Sequence, residues 1–362
     1  MLRPYSEHMP ILTHPPTAWL DILYKAINIW KMNERVGHIQ IMVGIGATLH
    51  FLVDCLCLCT LYLMSPLIET GDVVGLFIVY NVLAFVTQII TGHLADITRQ
   101  KHWMLITSLL LLILGVATMA VGTNTLHHLS ATAMLPTATL LGLGNSLFHT
   151  WGGKQVAMKT HNDIRSLGVF VSTGAFGLSV GFVFHSWALL YAILLLMCLL
   201  SALYMRYDFQ GEAHPSSAAS TPGEAPNKKR WAHWVIGVAI VVLMLLVMMR
   251  SWVGESFTQA ITKNNMVVLA IGAIAMLGKM SGGWIARGMG IVRSMVVVLT
   301  VVLICLLCRD SHLAIALTGL FAVNCTMPVT LYLANVVLKG REGLAFGLLA
   351  AALIPGFLIA FM

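Results

Sequence analysis

This chain of 362 residues is 58% hydrophobic and only 10% charged, with a formal net charge of +7. Such a composition excludes a water-soluble multidomain protein, because apolar runs recur at about the 20-residue length that crosses a hydrocarbon core. Within lipid the backbone must satisfy its own N–H and C=O groups, so these runs are expected to be helices and the fold class all-α and polytopic.

Residues 1–38 form a charged N-terminal extension without the apolar core of a cleavable signal. Inside it, residues 17–33 predict an amphipathic helix. Trp19, Leu23, Ile27 and Trp30 share one face, Asp21, Lys25 and Asn28 the other, a pattern that suits a membrane interface. Eleven spans then follow, at 40–63, 73–91, 103–121, 131–149, 166–184, 187–205, 233–257, 266–286, 292–308, 312–335 and 343–362. The Pro-, Ser- and Ala-rich stretch 206–230 reads as a flexible linker. It divides the chain into a six-helix bundle, 39–205, and a five-span bundle, 231–362, one span short of a second set of six.

The basic excess reports orientation. With the N-terminus inside, every Lys and Arg except Arg250, Lys263 and Arg309 falls on the cytoplasmic side, so the positive-inside rule accounts for the charge and nucleic-acid binding is not expected. These features place a multi-pass protein in the inner (plasma) membrane, its N-terminus cytoplasmic, with the bilayer as environment and a monomer as the expected unit. The seven cysteines all lie in apolar spans. Cys55, Cys57 and Cys59 alternate at i, i+2, which puts neighbours on different helix faces, so small buried residues are expected there, not a metal site. No cofactor is expected.

Four groups of residues carry candidate chemistry. Asp54 is a carboxylate near the middle of the first span, where a charge costs at least about 2.5–3.5 kcal/mol. His50 lies one turn earlier on the same face, and together they form a candidate proton-coupling pair. Arg250 and Glu255 sit in the outer part of the seventh span. Arg250 either snorkels outward or binds an anion through its planar fork; Glu255 reads as a helix end. Asn81 and Gln88, Asn145, and Asn324 are polar positions in the second, fourth and tenth spans, each either lining a path or joining helices. His149 reads as part of the cytoplasmic rim. No nucleophile–base pair or phosphate loop is visible, so the chain is not expected to be an enzyme.

The fourth group is the polar segment GHLADITRQKH, from Gly92 to His102, wedged between the second and third spans. Its Gly92, Leu94, Ala95 and Asp96 resemble the G-x-L-A-D loop signature of the major facilitator superfamily, with Lys101 at a basic position and Arg99 in place of a second Gly. The segment GKMSGGWIARGMGIVR stands at the equivalent point of the second half. There Gly283, Ala286 and Gly290 match the pattern and Arg287 replaces the acid. The resemblance implies two pseudo-repeated bundles and alternating access. It assigns gating to Gly92, Asp96, Arg99, Lys101, Gly283 and Arg287, with Asp96 either capping a helix or pairing with a base on its neighbour. Glycines 174, 177 and 181 offer the fifth span a smooth face for close helix contact.

Within that superfamily three segments resemble the fosmidomycin-resistance branch of exporters: Leu49–Asp54, Gly142–Ala157 and Arg250–Trp252. Val53, Thr150, Trp151, Val171 and Ala175 depart from its pattern. The resemblance implies a secondary transporter whose partners are protons and a small-molecule substrate, with proton-coupled efflux of a small organic or drug-like compound as the leading activity. Import of a small organic anion through the same residues is the nearest rival, and a non-transporting receptor or scaffold the next.

Overall fold

The computed structural model describes residues 17–98, 102–125, 131–212, 233–261 and 264–360, with side chains from residue 36 onward. Among the described residues every regular element is helical: α1 (Thr17–Met64), α2 (Thr70–Asn81), α3 (Gln88–Ile97), α4 (Trp103–Thr125), α5 (Ala131–Lys159), α6 (Ile164–Val183), α7 (Trp187–Glu212), α8 (His233–Gln259), α9 (Asn265–Met289), α10 (Ile291–Leu307), α11 (Leu313–Val337), α12 (Glu342–Ala351) and α13 (Leu353–Ile359). Among the described residues, those up to Ile41 form one compact unit and those from Met42 onward another; the second holds α1 from Met42 onward and every later helix.

All eleven expected spans are helical, two of them interrupted. The second is broken by a π turn at Val82–Val86 between α2 and α3, and the last by Ala352 between α12 and α13. Pro355, two residues into α13, lacks the N–H that would continue the ladder. Nine of the described helical segments are long and apolar enough to cross a membrane, and α10 is a shorter apolar helix. The exception is α5, which is long enough but more polar; its residues from Gly142 to Gly153 are almost continuously buried by other helices. Toward the outside the distribution inverts that of a soluble protein. Large apolar side chains such as Leu195, Leu199, Leu245, Val296 and Leu303 are exposed, as lipid contact requires.

Among the described residues, one helix runs from Thr17 to Met64. The proposed amphipathic face at 17–33 and most of the linker, 213–230, lie outside the described side chains and residues.

Local signals set the helix ends. Asp163 caps α6, its Oδ2 accepting from the Ser166 N–H at 3.3 Å, and Asn264 caps α9 through the Val267 N–H at 3.0 Å. Gly290, at φ +85°, ends α9 in a backbone conformation that favours glycine. The principal packing between the first and second halves of the chain is α6 on α9 and α3 on α12; α11 packs on α8 and α9, and α4 on α5. Small residues make this possible. A Cβ on Gly92 would collide with the Gly343 carbonyl, and one on Gly283 would stand 2.6 Å from the Ile164 carbonyl oxygen. The α6 glycines work as expected: 174 faces His50 and Asp54, 177 the Phe51 carbonyl and 181 the Cys55 carbonyl. Cys55, Cys57 and Cys59 are free and buried.

Candidate functional site: a charged cavity between the halves

A cavity of about 330 Å³ lies between the two halves, within the size range of small-molecule sites. Residues of α1, α2, the π turn, α3, α5 and α6 form one side; residues of α8, α9, α11, α12 and α13 form the other. The three segments that carry the exporter resemblance, separated by about 90–200 residues of sequence, converge here: they supply His50 and Asp54, Asn145 and His149, and Arg250.

The first wall centres on Asp54, the only carboxylate among its described lining residues. His50 Nε2 stands 3.4 Å from Asp54 Oδ2 at i, i+4, as the helical spacing requires. His149 Nε2 stands 3.5 Å from Oδ1, and the two imidazoles meet edge to face with centroids 4.4 Å apart. His149 therefore belongs to the centre of the site and not to the cytoplasmic rim. Sequence reasoning missed it because the cluster is assembled across 95 positions, between α1 and α5. Asn145 Nδ2 donates to Asp54 Oδ1 at 2.9 Å and reaches the Tyr80 hydroxyl at 3.2 Å, so this asparagine holds the carboxylate from behind.

Each imidazole is also held from behind. His50 Nδ1 lies 2.7 Å from the Phe170 carbonyl and His149 Nδ1 2.9 Å from the Asn145 carbonyl. A carbonyl only accepts, so each Nδ1 carries the proton and each Nε2 is turned toward Asp54. His50, Asp54 and His149 are buried, and their ligand-capable atoms all lie within 4.8 Å of one another. One carboxylate and two imidazoles can hold protons or a metal ion.

The opposite wall is cationic. Arg250, from α8, buries its Nη1 with no hydrogen-bond partner among the described residues. Lys279, from the middle of α9, lines the same space, within electrostatic reach of both Arg250 and Asp54. The charge bias assigned Lys279 to the cytoplasmic side; the structure places it in the cavity instead. Its local signal is its setting in LGKMSGG. Gly278 and Gly282 pack against α11 and Gly283 against α6, so this stretch is interior on two sides.

Of the uncharged candidates, Asn81 and Gln88 line the cavity, where the π turn between them sets their phase. Each amide nitrogen bonds back to a carbonyl four residues earlier, and Gln88 Oε1 is buried with no partner among the described residues. Two candidates are not among the described lining residues. Asn324 bonds back to the Leu320 carbonyl and packs at the α9–α11 seam against Gly278, while Glu255 is half-buried farther along α8.

Beneath the cavity, Phe170 and Phe346 meet with centroids 6.3 Å apart, and Phe346 also approaches His149. Farther toward the same end, Asp96 accepts from the N–H groups of Gly343 at 2.9 Å and Leu344 at 2.8 Å. These are first-turn donors of α12, which has no side-chain cap of its own, so Asp96 caps a helix of the other half. Lys154 Nζ lies 3.9 Å from the same carboxylate and donates to the Ala95 carbonyl at 2.6 Å. Of the other gating candidates, Arg287 is exposed in the last turn of α9, and Arg99 and Lys101 lie outside the described residues. Sequence reasoning also missed a second tie at this end. Asn335 on α11 donates to Asn162 Oδ1 at 2.8 Å, and Asn162 sits in the α5–α6 turn at φ +60°.

No family model matches this chain, and no curated protein matches it. Solved structures do. One, described as the crystal structure of a bacterial homologue of the iron transporter ferroportin in an outward-facing state, aligns with a TM-score of 0.56 at 12% identity, over 88% of this chain and 91% of that one. The fold is therefore that of a multi-pass helical membrane protein of the major-facilitator type, with two bundles around a central cavity.

Proposed function

We propose that this chain is a secondary active transporter working by alternating access, and that its central cavity is the substrate site. The observation that carries this reading is the pair of buried or half-buried cations, Arg250 and Lys279, facing the cavity with no acid from their own half among the described lining residues. A charge at membrane depth is costly, and a scaffold gains nothing from it, whereas a carrier uses it to hold an anionic cargo. The cargo of this reading is a small organic molecule with an anionic group. Asp54 and His50, now joined by His149, are the proton-coupling cluster. They face the cargo cations across one space, so their protonation and the cargo's occupancy influence each other.

Resemblance to the exporter branch supports efflux as the direction, and the convergence of its three segments on the cavity adds to that support. Import of an organic anion uses the same contacts with the flux reversed. The iron-transporter homologue, at 12% identity, supports the fold and not a cargo. Asp96 and its α12 partners are assigned to the gate, with Gly92 and Gly283 allowing the close approach on either side. We place the chain in the plasma membrane, N-terminus inside, as a monomer with a six-helix bundle at 39–205 and a second bundle at 231–362.

The test is flux in liposomes under an imposed pH gradient, with a panel of small organic anions, for wild type and Asp54→Asn. Gradient-driven flux in wild type that collapses in the variant supports coupling. Equal gradient-driven flux in both removes Asp54 from that role, and no flux of any solute favours a scaffold.

A further inference from the structure

The arrangement around Asp54 suits a metal ion as well as protons. Both imidazoles give their Nδ1–H to backbone carbonyls, so in the neutral state both Nε2 lone pairs point at an anionic carboxylate. Lone pair against anion is repulsive unless a proton or a metal cation lies between them. The separations are 3.4 and 3.5 Å, longer than the usual 2.7–3.2 Å of a hydrogen bond. Each matches the ligand–ligand separation, ~3.4 Å, of a tetrahedral site with metal–ligand bonds of about 2.1 Å, one to each carboxylate oxygen. Imidazoles held through Nδ1 by a carbonyl are also the usual second layer of a metal site, and Asn145 provides the same support for the carboxylate. Two imidazoles and one carboxylate suit first-row divalent ions, and a three-ligand set leaves an open position for an incoming ligand.

The opposite wall then sets a constraint. A bare divalent ion would add two positive charges to a low-dielectric space that already holds Arg250 and Lys279 against a single Asp54. Such an ion is held far more tightly together with an anion, and the two cations are where that anion binds. Arg250 Nη1, buried and unpartnered, supplies part of the donor set.

We propose that the cavity takes a divalent first-row transition-metal ion as its complex with a small carboxylate anion, the metal held by His50 Nε2, His149 Nε2 and the Asp54 carboxylate, and the anion by Arg250 and Lys279. This rests on the transporter reading and specifies its cargo.

The test uses the full-length protein in detergent, titrated with CoCl2 alone and with an equal amount of citrate, read by the visible bands of bound Co²⁺. Wild type shows the intense bands of a low-coordinate site. The total Co²⁺ needed for half-saturation falls at least tenfold with citrate, although a free chelator would raise it. His149→Ala and Asp54→Asn abolish the bands. Arg250→Gln and Lys279→Gln bind Co²⁺ alone at least as tightly as wild type, since a repelling charge is gone, and lose the citrate effect. Absence of the bands in monodisperse wild type overturns the proposal, as does a spectrum that survives His149→Ala, or a citrate effect that survives both cation variants. If His149→Ala does not fold, His149→Gln takes its place with the same expected loss. Gradient-driven flux of metal-free anions without Co²⁺ binding removes this inference and leaves the transporter reading standing. Co²⁺ binding without flux of any solute removes the transporter reading.

Discussion

Replacing Asp96 with Asn tests the latch proposed for one end of the cavity. The carboxylate accepts two N–H bonds, at 2.9 and 2.8 Å, from the first turn of α12. A hydrogen bond to a charged group contributes roughly 1.5–3 kcal/mol and a neutral one roughly 0.5–1.5, with a further 0.3–1 for an anion at a helix N-terminus. Asn keeps the shape and one acceptor, while its amide nitrogen faces an N–H donor. In the open state the wild-type carboxylate recovers hydration, which offsets part of the loss. The net change is about 2 kcal/mol against the closed arrangement, roughly a 30-fold shift. If wild type is ~99% closed at this end, the variant falls to about three-quarters closed. Double electron–electron resonance reads this directly, with spin labels at the exposed Ile97 and Val336 after the exposed Cys198 and Cys308 are replaced by Ser. A second, longer distance population is the expected result for Asp96→Asn. Lys154→Gln removes a 3.9 Å contact between α3 and α5, both of the first half, which opening does not break, so it should produce less than a tenfold shift. An Asp96→Asn distribution that overlays the wild type refutes the latch, as does a larger effect from Lys154→Gln.

Other perturbations have equally definite outcomes. Gly92→Ala places a methyl group against the Gly343 carbonyl, and overpacking of this kind costs roughly 1–3 kcal/mol, so the same labels should report opening without any change of charge. Asn335→Ala removes the tie to Asn162 and should shift closure by about 1 kcal/mol, additive with Asp96→Asn because the two contacts share no partner. Arg250→Met removes a buried guanidinium nitrogen that has no partner among the described residues, so thermal unfolding should occur at a higher temperature while stabilisation by added organic anions disappears. A lower unfolding temperature for Arg250→Met would mean that the guanidinium is paired within the protein.

Much of this molecule was legible in the sequence because lipid imposes one dominant rule. The eleven helices follow from apolar run length, and His50 and Asp54 from helical spacing. The break at Val82–Val86 was not legible, since it changes the ladder without interrupting the hydropathy, whereas Pro355 marks the one at Ala352. Lys279 was misplaced because counting charges assigns a residue to a side of the membrane and not to a depth. His149 was missed because its partners are supplied by α1, far away in sequence, although its i, i+4 relation to Asn145 repeats that of His50 and Asp54. Asn324 and Asn81 look alike in sequence and differ in place, and only packing separates them. The Asp96 segment stood out as polar and acidic; that its partner would be the start of α12 depended on tertiary structure.

The central claim is that solute passes through this one charged cavity, and counterflow measures it with no imposed gradient. Liposomes loaded with an unlabelled anion, with or without bound Co²⁺, are diluted into the same anion labelled. A transient accumulation of label above equilibrium in wild type, absent in Arg250→Gln and in Lys279→Gln, is the result this account predicts. An overshoot undiminished in both variants contradicts it.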